Sequence, residues 1–173
     1  EVLRKMLHVF NPKHIYISSY GIREGILFEQ MPEDLRAADP LIEASRHLEH
    51  ASARVPGFGR KLFDFLMPLY RNAPPDRLRL IRAACLLHDV NWRAPPDYRS
   101  ESCFATATRA NLGGLDHKGR VYLGLALMNR YKNNGANSRM TPVLSLLSED
   151  EIRHAVMLGR AMRFGSMFSA EGP

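Results

Sequence analysis

Ala83-Ala84-Cys85-Leu86-Leu87-His88-Asp89-Val90 is the stretch on which the reading of this chain turns. With Leu78, Leu80 and Ile81 before it, it forms the last turns of the most apolar helix expected in the sequence. Pro74-Pro75-Asp76 opens that helix, with proline in the first turn where its missing N–H costs nothing, and His88-Asp89 stands at its end. An adjacent histidine and aspartate at a helix end can turn an imidazole nitrogen and a carboxylate oxygen toward one divalent metal. The same two side chains can instead bond to each other or cap helix ends, holding the core in register. Either way the helix that carries them is a central one.

Working outward, the flanking sequence is helical on both sides. Asp39-Pro40 is an N-cap followed by a first-turn proline, opening a helix to about Arg54. After the break Pro56-Gly57, the residues Phe58, Leu62, Phe65, Leu66 and Leu69 make an apolar stripe, with Pro68 a kink or an end. Downstream, the linker 91–96 carries Trp92, expected as a packing anchor or at the entrance to the His–Asp pocket. A helix over about 97–109 follows, and then one capped by Asp116 and running to Lys132, with Val121, Leu125 and Met128 along one face. The polar stretch 133–139 reads as a loop. Thr141-Pro142 starts a short helix to Leu147, and Ser148-Glu149-Asp150-Glu151 matches the capping box that launches the last one. No strand is expected beyond Pro32, so residues 32–173 are read as helices packed on helices around one core.

The first 31 residues differ. Val2, Leu3, Met6, Leu7 and Phe10 are at helical spacing, Asn11-Pro12 stops that helix, and residues 14–19 read as a strand rich in β-branched and aromatic side chains. A second helix is expected over 22–31. A lone strand cannot form a sheet, so a helix–strand–helix piece of this kind needs partners from elsewhere in an α/β domain. Within it, Tyr20-Gly21-Ile22-Arg23-Glu24-Gly25-Ile26-Leu27 places a glycine, an arginine and a glutamate where a strand gives way to a helix, as α/β domains do beside a ligand. Arg23 has two readings: a phosphate or interdomain contact, or an ion pair with Glu24 or Glu29 on a solvated face.

The chain has 173 residues, 45% of them apolar, and a formal charge of +6, which excludes general disorder and favours phosphate-rich partners: polyphosphate, nucleotides, nucleic acid or an anionic surface. Cys85 and Cys103 form no C-x-x-C pair, which fits a reducing, cytoplasmic setting; no leader and no membrane span is apparent. No recognition-helix or RNA-binding signature supports a nucleic-acid binder.

The setting of His88-Asp89 resembles that of the HD-superfamily phosphohydrolases, and the Gly21-Ile22-Arg23-Glu24-Gly25-Ile26-Leu27 motif, intact here and in the right order before it, resembles the exopolyphosphatase/guanosine-pentaphosphate phosphatase (Ppx/GppA) family. The resemblance covers essentially the whole chain. It implies that residues 1–31 end the second actin-like (ribonuclease-H-like) domain and that 32–173 are an HD-domain-like helical bundle.

It further implies that the longer protein hydrolyses polyphosphate or guanosine pentaphosphate with Mg²⁺, in a cleft between actin-like domains that would precede Glu1. This chain alone is then expected to be inactive, serving polyanion binding and homodimerisation. Arg23, Arg130, Lys132, Arg160 and Arg163 are the candidate phosphate contacts. The alternative is an active HD-type metal phosphohydrolase with His88 and Asp89 as ligands. Against it, Arg54 falls where such a site has its upstream histidine, and Arg99, Ser100 and Lys132 fall where histidines are frequent in relatives; a cation in place of a ligand repels a metal.

Overall fold

In the computed structural model, which describes residues 1–15, 18, 20–131 and 141–168, the elements are α-helices and one short 3-10 turn. In chain order they are α1 (Val2–Phe10), α2 (Ile22–Glu29), α3 (Glu33–Ala37), α4 (Pro40–Ser52), α5 (Phe58–Leu66), α6 (Pro75–Leu87), α7 (Pro96–Arg109), α8 (His117–Tyr131), α9 (Thr141–Leu144) and α10 (Glu149–Phe168), with the 3-10 turn Met67–Leu69 after α5. The mainly helical class expected from the sequence is the one observed. The chain divides into two compact units, Glu1–Ala38 and Asp39–Pro173, whereas the sequence reading drew its boundary between Met31 and Pro32.

In the first unit, α1 ends at Asn11, whose left-handed backbone (φ 40°) lets its N–H reach the Leu7 carbonyl; asparagine tolerates that conformation better than most residues. In α2 the Glu24 carboxylate accepts from the Gly21 N–H at 2.7 Å, which closes the helix start. Among the described residues of the expected strand, His14, Ile15 and Ser18 adopt no strand; Tyr16, Ile17 and Ser19 lie outside the described residues. A strand segment has no ladder to join unless a neighbour offers its edge. None of α1, α2 and α3 buries a residue, and Val2, Leu3, Phe10, Ile22 and Leu27 are all well exposed. Short α3 was not foreseen in the sequence.

The second unit holds the core. Its centre is α8, in which every residue from Val121 to Arg130 is buried. The sequence suggested a helix with one apolar face. The structure packs α7 and α10 along it and α6 against it as well, so no face of Val121–Arg130 remains for water. Leu87 and His88 from the end of α6 and Leu123, Leu127, Leu158 and Met162 are among the fully buried side chains.

Two close approaches need glycine. A β-carbon at Gly59 on α5 would lie 2.7 Å from the Cys85 carbonyl oxygen of α6, and one at Gly159 on α10 would collide with the Ala126 carbonyl and Asn129 of α8. The Gly59 N–H also donates to the buried Glu49 carboxylate at 2.7 Å, tying α4 to α5.

The caps read from sequence are present. Asp39 Oδ1 accepts from the Leu41 N–H at 2.9 Å, and the Arg79 guanidinium grips the same carboxylate from α6 (Nε to Oδ2 2.6 Å, Nη2 to Oδ1 2.8 Å) while its Nη1 donates to the Gly114 carbonyl at 2.9 Å. Asp116 accepts from the Gly119 N–H at 2.7 Å, and Ser148 and Glu151 form the reciprocal box ahead of α10.

Candidate functional site: a histidine–aspartate pair closed by arginine

The end of α6 delivers His88 and Asp89 into the core, each about 1% exposed. The two do not bond to each other. His88 Nδ1 lies 2.8 Å from the Cys85 carbonyl, an acceptor only, so the proton sits on Nδ1 and Nε2 carries a lone pair. That Nε2 is buried with no hydrogen-bond partner among the described residues, and the ring packs at 5.2 Å from that of Phe58. Burial, with the Arg130 cation second, pushes the His88 pKa down to about 4, so the ring is neutral at ordinary pH.

Asp89 is covered by cations and donors. Arg54, just past the end of α4, donates from Nε to Oδ2 at 2.9 Å and from Nη2 to Oδ1 at 2.8 Å, and its backbone N–H reaches Oδ2 at 3.3 Å. The Tyr131 hydroxyl, from the end of α8, lies 3.0 Å from Oδ1, and Arg130 Nη2 stands 3.9 Å from the same oxygen. Burial alone would raise the Asp89 pKa; the Arg54 fork and the Tyr131 bond outweigh it and hold the carboxyl below its ordinary range.

Around this pair the arginines gather on two aromatic rings. Arg54 and Arg93 lie 5.6 and 4.6 Å from the ring centre of Trp92, and Arg99 and Arg130 lie 5.4 and 4.5 Å from that of Tyr131. Trp92 is fixed by its indole N–H, which donates to the Ser52 carbonyl at 2.9 Å, and Arg99 Nε donates to the Ala94 carbonyl at 3.1 Å. The cluster thus sets Arg54 and Arg130 on the Asp89 carboxylate, and Arg93 and Arg99 on the flanking Trp92 and Tyr131 rings. Arg130 is the most enclosed, 6% exposed, and its Nε has no partner among the described residues.

This arrangement does not fit a divalent metal: a guanidinium already holds both oxygens of the carboxylate that would have to ligate it. Nor do the described residues offer any group of three His, Cys, Asp or Glu side chains that could complete a ligand set.

The family profile described as "Exopolyphosphatase, C-terminal" matches residues 35–173. The chain belongs to this family. Retrograde regulation protein 2 of Saccharomyces cerevisiae (strain ATCC 204508 / S288c) is 30% identical over 132 residues, covering 70% of this chain and 21% of the relative. The chain therefore spans about a fifth of that relative's length.

In this exopolyphosphatase C-terminal domain the phosphate contacts expected from sequence lie on separate elements. Arg23 lies exposed on α2 in the first unit, Arg130 is enclosed beside Asp89, and Arg160 and Arg163 are exposed on α10; Lys132 lies outside the described residues. Several other basic side chains serve the fold instead. Arg79 clamps Asp39, Arg120 donates to the Ala110 and Leu112 carbonyls after α7, and Arg153 pairs with Asp150 and Glu149 on its own helix. Sequence reasoning missed Arg93 and Arg99 as members of this arginine–aromatic group. The available signal was their spacing around Trp92 in a linker that leads straight out of the His–Asp pair.

Proposed function

We propose that this exopolyphosphatase C-terminal domain is a non-hydrolytic anion-binding arm of a longer phosphohydrolase, and that the arginines around Asp89 are its anchor. The observation that carries the reading is the charge imbalance there. Arg54 holds both Asp89 oxygens and the enclosed Arg130 reaches the same carboxylate at 3.9 Å, while Arg93 and Arg99, nearer the surface, lie over aromatic rings and form no ion pair among the described residues. Arginine's planar fork suits phosphate oxygens, and a row of such forks suits a chain of phosphates such as polyphosphate. The parent's reaction, cleavage of polyphosphate or guanosine pentaphosphate with Mg²⁺, belongs on this reading to actin-like domains outside the chain, and the cell compartment is the cytoplasm, which two free, buried cysteines suit. No described helix is long and apolar enough to cross a membrane. The homodimer half of the reading draws on the exposed Phe164, Phe168 and Met167 of α10; sedimentation of Phe164→Asp beside the parent chain tests it, a loss of dimer being the expected result.

The main test is binding of labelled polyphosphate to the chain by fluorescence polarisation across a salt series. Saturable, salt-sensitive binding is expected, weakened about tenfold or more in Arg93→Ala/Arg99→Ala, since a hydrogen bond to a charged group contributes about 1.5–3 kcal/mol. Absence of binding at low salt, or an unaffected double variant, would overturn it. Phosphate release by this chain alone with added Mn²⁺ would favour the metal-dependent alternative instead.

A further inference from the structure

The second compact unit begins at Asp39, and the bond from Asp39 to Pro40 is the only aspartate–proline bond in the chain. Of all peptide links this type is the one most readily broken by acid. The un-ionised aspartic acid attacks its own carbonyl carbon through one side-chain oxygen, while its proton passes to the proline nitrogen, part of a tertiary amide. The C–N bond breaks to leave a cyclic anhydride and a prolyl amine, and one water then opens the anhydride to a C-terminal aspartic acid. The step asks two things of Asp39: a free side-chain oxygen and a proton on the carboxyl.

The fold withholds both. Asp39 Oδ1 accepts from the Leu41 N–H at 2.9 Å and from Arg79 Nη2 at 2.8 Å, and Oδ2 accepts from Arg79 Nε at 2.6 Å. The Arg79 fork first, and the α4 backbone bonds after it, hold the Asp39 carboxyl below its ordinary range against the partial burial that would raise it. The reacting proton is therefore missing down to acid pH.

The surroundings keep that hold in place. Arg79 Nη1 is anchored on the Gly114 carbonyl at 2.9 Å. Gly114 has a φ of 62°, and a β-carbon there would lie 2.9 Å from Arg79 Nη2 and 3.0 Å from Pro40 Cγ, so this turn closes on the guanidinium and the proline ring together. Of the other charges lining the same groove, Glu43 on α4 is taken by Arg46 at 2.6 Å, and Arg82 on α6 adds positive charge. Pro40 itself is exposed, so water and acid reach the bond.

We infer that the Asp39–Pro40 bond is an acid-scissile link between the two units and that Arg79 guards it, so that acid severs the chain there once the guanidinium lets go. This goes beyond the polyphosphate reading and does not rest on it. The test is incubation of the chain in mild acid, at about pH 4.5, where an aspartate outside a fold is partly protonated. Fragments are followed by intact-mass spectrometry, with and without urea, and circular dichroism reports the fold.

Fragments 1–39 and 40–173 are expected, formed about tenfold or more faster in urea than in the fold, since attack follows the population of the opened form. Folded Arg79→Ala should be cut about two- to fivefold faster than the parent chain, the range for a partly exposed ion pair. Pro40→Ala, which keeps Asp39 and Arg79 and changes only the leaving nitrogen, should abolish the cut. Should Arg79→Ala unfold, added salt gives the same reading on the parent chain: screening should speed the cut in the fold and leave the urea rate unchanged. The inference falls if the parent is cut as fast folded as in urea, if neither Arg79→Ala nor salt speeds the cut in the fold, or if another bond breaks first.

Discussion

Arg54 covers the Asp89 carboxylate with three donors, two from its guanidinium and one from its own backbone, across 35 positions of sequence. The segment following α4 is thereby locked to the end of α6, and the aspartate that a metal would have used becomes a structural anion. Asp89→Asn would leave Arg54 and Arg130 facing a neutral amide. A loss of about 3 kcal/mol of stability by chemical denaturation is expected, since breaking a buried pair strands the remaining charge. Arg54→Ala should cost a comparable amount, because it leaves the Asp89 carboxylate, about 1% exposed, without its two-pronged partner.

Because a guanidinium holds that carboxylate, divalent ions should have no purchase on the fold. The melting temperature is expected to be the same with chelator as with added Mn²⁺ or Mg²⁺, and calorimetry should show no saturable heat. A stabilisation that saturates with metal would contradict the Arg54 geometry.

His88 gives the domain an acid-sensitive element. In the fold its pKa lies at about 4, against 6.5 for an ordinary histidine, because burial and then Arg130 disfavour the imidazolium. The unfolded chain takes up a proton that the folded chain refuses. The stabilisation is therefore complete above pH 6.5 and is lost as pH falls toward 4, by about 3 kcal/mol at most. Asp89, held below its ordinary 3.8 and facing Arg54 and Arg130, adds a further loss only at lower pH. His88→Asn should flatten the stability profile between pH 6.5 and 4 and leave the more acidic limb in place.

Gly159→Ala should cost about 1–3 kcal/mol, as overpacked core positions do, because its methyl group would meet the backbone of α8. Gly25→Ala meets nothing within 4 Å and sits inside α2. It should raise helicity by circular dichroism and cost no stability, since alanine is the better helix former by about 1 kcal/mol.

The helix starts were legible because their chemistry is local: Asp39 before Pro40, Pro75 in a first turn, Ser148 with Glu151. The closure of the His–Asp pair was legible at Arg54 through the family resemblance, since that position would otherwise carry a histidine. What stayed hidden depended on contacts between distant segments. Arg130 reads as a candidate phosphate contact, yet α8 is buried from Val121 to Arg130 and carries that arginine inward. Arg77 and Arg79 look alike two positions apart. One clamps an aspartate and the other stacks on a buried tyrosine, a difference that only the packing of α4 and α8 against α6 decides. Of the strand expected over residues 14–19, the described residues His14, Ile15 and Ser18 form none, because β-branched composition needs a neighbouring edge to act on.

Asp39 stands at the first position of the second unit and does two jobs with one carboxylate, finishing α4 and receiving the Arg79 fork. A shortened gene that opened at Pro40 would discard the latch along with the cap, freeing the α4 entrance and leaving Arg79 only the Gly114 carbonyl. Anyone trimming this protein to its smallest folding piece should therefore keep the aspartate as the leading residue.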